Sequence, residues 1–379
     1  MKILFVNPYP PSTLPVPGIG YLWSYLKAYG PEVELSFADR QSIGSLKGKP
    51  FDVVAVSVDT YAVPYVVGLK KSFDPEGKSH WVAGGHHASA LPDQMFEMGF
   101  DQVVRGPGEK ALVGIVNGCR DKVVQGTMER IDWIPFPDYR SQTVTKGRWD
   151  TMILSSRGCP HQCTYCSSSA FWGRKVYLRQ ATSVLGELEM AIKDGVNTFI
   201  FEDDNFTMKK SRVKEICEGL KGYGRKHWWE CSGRAEALDD EMCEMLASAG
   251  CTMVWMGVES GSDKILQRCK KGTTAEQQEK GIHAVKRSGM KAHVHIIVGL
   301  SGESAETVAE TKSFLQRTKP DEVAVKLPWV LPGTELYRTA KSLGFDDSAF
   351  LKGVPLFVFE QEESTLRSWA STLPGIKCY

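Results

Sequence analysis

Short runs of β-branched and aromatic residues, separated by stretches with apolar residues at helical spacing, set the pattern of this chain. In its first third the runs are KILFVN (2–7), VELSFAD (33–39), VVAVSVD (53–59), WVAGG (81–85) and QVVRG (102–106). Between them, IGYLWSYLKAYG and EKALVGIVNG keep a helical apolar period and end in Gly, which stops a helix. The alternation predicts an α/β fold, a doubly wound parallel sheet of Rossmann type, over residues 1–120. Ligands of such sheets gather beyond the carboxyl ends of the strands. Here those ends are the loops NPYPPSTLPVPG, DTYAVP, GGHHASALP and RGPGE.

Residues 121–148 carry IDWIPFPDYR, where Pro135 and Pro137 disfavour both helix and central strand, so the segment reads as a linker. A second series then starts: TMILSSRG, NTFIFEDD, HWWECSGRAEA, TMVWMGVES, KAHVHIIVGL and DEVAVKLP. Six strands, each with a helical or loop connection, predict a partial (β/α)6 barrel over 149–332, with its chemistry at the carboxyl ends of the strands. Residues 333–379 remain as a short C-terminal extension.

Composition narrows the function. With 46 Lys+Arg against 45 Asp+Glu over 379 residues, no net field recruits nucleic acid or an anionic membrane, and a small-molecule or peptide substrate is the expectation. The opening MKILFVNPYPP is too short an apolar run for an export signal, and no later stretch is long enough to span a bilayer, so a cytoplasmic protein is expected. Its ten cysteines then read as thiols or metal ligands rather than disulfides. Seven of them, Cys119, Cys217, Cys231, Cys243, Cys251, Cys269 and Cys378, lack ligand spacing.

The other three stand in RGCPHQCTYCSSS, directly after a predicted strand, as Cys159, Cys163 and Cys166. One loop can curl three thiolates at these spacings around a face of a [4Fe-4S] cube, leaving one iron open to bind another molecule. A zinc knuckle is the structural alternative.

This loop, with Tyr165 before its last Cys, resembles that of the radical S-adenosylmethionine (SAM) superfamily, and the likeness covers the second half of the chain. The resemblance implies that the open iron chelates SAM and that an electron from the cluster releases a 5′-deoxyadenosyl radical. It implies SAM contacts at Glu202, Asp203 and Asp204 for the ammonium, Ser232 and Arg234 for the carboxylate, Glu259 for the ribose, Ser260 next to it, and Gly302 beside the adenine. Helix capping is the alternative role for the acidic trio. An external one-electron reductant such as flavodoxin or ferredoxin is also implied.

The first half resembles the cobalamin-binding domain of one radical SAM subfamily, in its NPYPP opening and its AGGHHASALP and VVRGPGE loops. Cobalamin contacts are then expected at Asn7, Pro8, Thr60, Tyr61, Gly84, Gly85, His86, His87, Arg105, Gly106 and Glu109. No His has Asp two positions before it, so an Asp-x-His-x-x-Gly ligand to cobalt is absent. The resemblance implies methylation of an unactivated carbon. Rearrangement, cyclisation, oxidation or C–S bond formation, with cobalamin used otherwise or not at all, stays open, as does a non-catalytic iron–sulfur sensor or electron carrier. Cys378, next to the last residue, is either a ligand or radical donor or part of an unremarkable end.

Overall fold

The computed structural model describes residues 1–9, 16–138, 150–223, 227–353 and 355–378. They form two compact units: Met1–Trp149 with Leu331–Gly333 and Asp346–Pro355, and Asp150–Val330 with Thr334–Phe345 and Leu356–Tyr379.

In the first unit β1 (Lys2–Val6), β2 (Glu34–Ala38), β3 (Val53–Ser57), β4 (His80–Gly84), β5 (Gln102–Arg105) and β6 (Val123–Gln125) make one parallel sheet in the order β2-β1-β3-β4-β5-β6. The order reverses beside β1, the switch point that leaves a crevice at the carboxyl edge of such sheets. Helix Pro17–Tyr29, opened by a Pro in its first turn, and helix Glu109–Val116 bury Ile19, Trp23, Leu26, Leu112 and Ile115 against Ile3, Phe5, Val53 and Val104. On the opposite face Trp81 sits edge-on to Phe73 and Phe100.

Two boundaries differ from the sequence expectation. Val123–Gln125 lies in the expected linker, yet pairs with β5 as a sixth strand, and Ile131 and Ile134 behind it are buried. The prolines that break the pattern come only after this strand. Residues 139–149 of that segment lie outside the described residues. The C-terminal extension also divides: Phe350 belongs to the first unit, fully buried with its ring 5.1 Å from His87.

The second unit holds β7 (Thr151–Ile153), a two-stranded antiparallel sheet of β8 (Ser156–Arg157) and β9 (Tyr177–Leu178), then β10 (Thr198–Phe201), β11 (Trp228–Gly233), β12 (Cys251–Glu259), β13 (Lys291–Ile297), β14 (Glu322–Lys326) and β15 (Ile376–Cys378). Its main sheet is parallel throughout, in the order β15-β14-β13-β12-β11-β10-β7. The six expected barrel strands are present, and the chain end adds β15 as a seventh. Helices cover one face, where Phe199, Phe201, Trp229, Met256, Val294, Ile296 and Val325 form the core. Capping boxes at Thr274 and Ser304 start two of these helices. No helix among the described residues is long and apolar enough to cross a membrane.

Candidate functional site

The three-cysteine loop is fixed by carboxylates from the end of β10. Asp203, fully buried, accepts from the Ser155 and Ser156 amides at 2.7 and 3.1 Å and from both hydroxyls, Ser156 Oγ at 2.7 Å. Asp204 Oδ2 accepts from the Gly158 amide at 2.8 Å. Gly158 has φ +87°, and a Cβ there would stand 2.1 Å from the Lys175 carbonyl, so no other residue fits the turn. Beyond it, the Cys166 amide closes onto the Cys163 carbonyl at 3.2 Å, and the Thr164 amide donates to the Cys269 carbonyl at 3.0 Å.

Cys159, Cys163 and Cys166 are all free thiols. Burial, reinforced by the Cys163 thiol, pushes Cys166 up to about 11, and burial also raises Cys159. Among the described residues no three His, Cys, Asp or Glu side chains converge on one ion. A cubane asks for something else: thiolates spread over separate irons, from one loop, in the deprotonated form that metal binding itself enforces. Arg234 Nη1 lies 3.8 Å from Cys163 Sγ, a cationic donor suited to an anionic cluster.

The strand ends expected around SAM are brought to the same edge, with different duties. Glu202 and Asp204 are solvent-accessible there, and the protein crowded around the Glu202 carboxyl, then the Asp203 and Asp204 charges, raise it. Asp203 corrects the expectation. Its oxygens are occupied by the serine turn, so it anchors the loop. Ser232 also departs, its hydroxyl tied to the Asp203 carbonyl. Arg234 is buried and pairs with Glu236 while bonding the Lys271 carbonyl. Glu259 holds a left-handed backbone, φ +67°, unusual for a branched-free side chain outside turns, and is buried. Ser260 is a third correction, since its Oγ bonds Thr311 Oγ1 at 3.1 Å and accepts from the Ser262 amide at 3.1 Å. Gly302, φ +85°, donates its amide to Glu360 Oε1 at 3.0 Å, and a Cβ there would lie 2.2 Å from Arg268 Nη1.

Lys271 is the residue the sequence did not reveal. Its Nζ pairs with Glu259 Oε1 at 3.0 Å and lies 3.3 Å from the Tyr165 hydroxyl, both charged side chains being under a tenth exposed. It ties the strand end to the cysteine loop, yet KKGTT after a short helix carries no motif. A second missed group, Glu230, Trp255, His293 and His295, lines the inner face of the sheet. The alternation in KAHVHII, with its two His on one face, was a legible signal.

In the first unit the expected cobalamin residues lie along the carboxyl edge of the sheet. The Asn7 amide donates to the Ala38 carbonyl at 2.8 Å, its Oδ1 accepts from the Tyr9 amide at 3.1 Å, and the Pro8 carbonyl accepts from Arg40. Gly84 ends β4; Gly85, φ +99°, brings its backbone against Val58, whose carbonyl would be 2.7 Å from an added Cβ. Arg105 and the Gly106 amide both bond Ser89, at 3.1 and 3.0 Å, and Glu109 opens its helix, buried. Tyr61, His86 and Arg105 are exposed, a donor-rich rim that fits the amide-bearing edge of a corrin. His87 is a correction: it is 1% exposed, with Nδ1 3.1 Å from Thr60 Oγ1 and Nε2 2.7 Å from Gln94 Oε1. Both of its ring nitrogens, and the Thr60 hydroxyl, serve the interior. The side chain of Cys378 lies outside the described residues; its backbone ends β15, paired with Lys326.

A thiol loop pinned at a strand end of one parallel α/β unit, in a chain that also carries a second such unit, defines a two-domain enzyme built around an iron–sulfur centre. Residues 153–315 match the Radical SAM superfamily model and residues 6–116 the B12 binding domain model. The chain belongs to the radical SAM superfamily, in the subfamily with an N-terminal cobalamin-binding domain, and its cofactors are a [4Fe-4S] cluster, SAM and cobalamin. An uncharacterised methyltransferase of Pyrococcus horikoshii is 28% identical, over 90% of this chain and 83% of its own. An anaerobic magnesium-protoporphyrin IX monomethyl ester cyclase of Rubrivivax gelatinosus is 26% identical, over 89% of this chain and 70% of its own. The radical SAM methyltransferase TsrM of Kitasatospora setae, solved with cobalamin and a [4Fe-4S] cluster, has the same fold: TM-score 0.74 at 18% identity, covering 90% of this chain and 78% of that one.

Proposed function

We propose that this protein is a cobalamin-dependent methyltransferase acting on an unactivated carbon of a small-molecule or peptide substrate. The observation that carries the reading is the presence in one chain of a pinned three-thiol loop and a B12-type sheet whose carboxyl edge exposes Tyr61, His86 and Arg105. When bound, the cluster and SAM supply a 5′-deoxyadenosyl radical and cobalamin supplies the methyl group.

Cys159, Cys163 and Cys166 would hold the cluster. Glu202 and Asp204 would offer acceptors to the SAM ammonium, Arg234 a donor to its carboxylate, Glu259 an acceptor to the ribose hydroxyls and the Gly302 turn a surface for the adenine. On the first unit Asn7, Pro8, Tyr61, Gly84, Gly85, His86, Arg105, Gly106 and Glu109 form the cobalamin edge. His87 backs that edge from the interior and gives cobalt no ligand. An external one-electron reductant, a flavodoxin or ferredoxin, reduces the cluster.

The cyclase relative favours a second reading, in which the radical forms a ring and no methyl group moves. Anaerobic reconstitution with and without hydroxocobalamin separates the two. Methyl transfer gives 5′-deoxyadenosine and S-adenosylhomocysteine together, only with cobalamin; ring formation gives 5′-deoxyadenosine alone. A reduced, reconstituted protein that consumes no SAM sinks both and leaves an electron carrier. Cys378→Ala in the same assay tests the terminal thiol: unchanged iron and turnover remove it from the mechanism.

A further inference from the structure

The inner face of the second unit's sheet carries polar side chains outside the set assigned above to SAM. Alternation along the strands turns Met256, Val294, Ile296 and Val325 to the helix-covered core, so their neighbours face the other way. These fall into rows by register: Trp255 beside His293 beside Glu322, then Gly257 beside His295 beside Ala324, then Ile297 beside Lys326.

The first row is tied together. Trp255 stacks on His293 with ring centroids 4.1 Å apart and donates Nε1–H to Glu230 Oε2 at 2.8 Å, while His293 Nδ1 meets Glu322 Oε2 at 2.9 Å. The second row is bare, since Gly257 and Ala324 leave His295 without a long side chain on either side. Lys326, half-buried, ends the third row.

Three nitrogens on this face lack a partner among the described residues. His293 Nε2 and His295 Nδ1 are buried without a hydrogen bond, His293 being only 7% exposed. Among the described residues no hydrogen bond or ion pair reaches the Lys326 ammonium. Two buried cations of this unit are matched, Lys271 by Glu259 and Arg234 by Glu236. Lys326 is not, and it shares its face with unsatisfied ring nitrogens; buried polar groups of this kind call for a partner.

We propose that Lys326 and His295 are the docking point for an anionic group, a carboxylate or a phosphoryl, on the molecule this enzyme acts upon. Lys326 supplies the charge, and His295 a directed hydrogen bond from its neutral ring. Burial, then the Lys326 cation, lowers His295 to about 4, so the imidazole stays neutral and does not repel the ammonium beside it. The acidic residues Glu202 and Asp204 stand at the end of β10, three strands away from β13, so an anion is drawn to the β13 and β14 side. The assignment rests on the reading of this unit as the catalytic barrel.

The test uses the full chain, cluster-reconstituted, with SAM present. Its melting midpoint is followed against inorganic phosphate and against acetate at constant ionic strength. A saturable rise is expected in the parent, in K326R and in K264M, which alters an exposed lysine. In K326M half-saturation moves up by about tenfold or more, as for loss of a charge-assisted bond, and in H295Q it moves in the same direction. A stronger response to phosphate assigns a phosphoryl group, and a stronger response to acetate a carboxylate. K326M and H295Q saturating where the parent does, or a parent indifferent to both anions, overturns the proposal. Release of 5′-deoxyadenosine from the same samples reads the radical chemistry separately: a parent that binds anion but cleaves no SAM keeps the site and loses the functional reading.

Discussion

At the scale of single residues, carboxylates that look alike in sequence divide by what they touch. In FEDDNF the middle acid, Asp203, turns inward to a serine turn, while Glu202 and Asp204 reach the strand edge. A strand's side chains alternate, and that alternation gives the odd member to the interior. His295 shows the same effect in its protonation. An unfolded histidine protonates near its ordinary 6.5, but the folded one does so only near 4, because burial and then Lys326 oppose the charge. Between those values the unfolded chain binds the extra proton, so stability present at neutral pH is lost as pH falls from about 6.5 towards 4, by about 3 kcal/mol in full. Urea unfolding of the apo-protein at pH 7 and pH 5 measures this. His295→Gln flattens the dependence; a variant with the parent's slope refutes the assignment.

At the scale of elements, the cysteine loop is a turn whose backbone had to be solved before its thiols could be placed. Gly158 allows it, with a left-handed φ and a carbonyl where any Cβ would be, and Asp204 then fastens its amide. Gly158→Ala is expected to destabilise the apo-protein by more than about 1 kcal/mol and to lower iron content after reconstitution, although no iron ligand is removed. Iron content and melting midpoint equal to the parent's would show that the turn tolerates a side chain. The segment Cys269–Lys271 plays a matching part, meeting Thr164, Arg234, Glu259 and Tyr165 within three residues. Nothing in its local pattern announces this, since its partners come from elements more than ten residues away.

At the scale of the whole molecule, the chain end is structural. In the second unit Leu366, Ala370 and Leu373 enter the core, β15 pairs along β14, and Glu360 caps the Gly302 turn. Deleting residues 356–379 therefore exposes apolar surface and an unpaired strand edge. The shortened protein is expected to aggregate or to melt at least several degrees lower, by thermal unfolding. A truncated chain as stable as the parent would mean that the last residues only decorate the barrel.

The sequence by itself determined the two parallel sheets, because strand runs, helical spacing and terminal glycines are local and repeat often enough to be read. It also determined the three-thiol loop, whose chemistry lies in one segment. What it misjudged or left out depends on contacts between distant segments. The sixth strand β6 falls in the segment whose sequence reads as linker, since three residues ahead of a proline-rich stretch show no period of their own. Asp203, Ser232, Ser260 and His87 read as cofactor contacts until their hydrogen bonds turned them into supports. Lys271 and the inner face of His293, His295 and Lys326 exist as sites only once β12, β13 and β14 stand in register. Burial, pairing and the charge left uncompensated are properties of neighbours in space, and only the tertiary structure decides who those neighbours are.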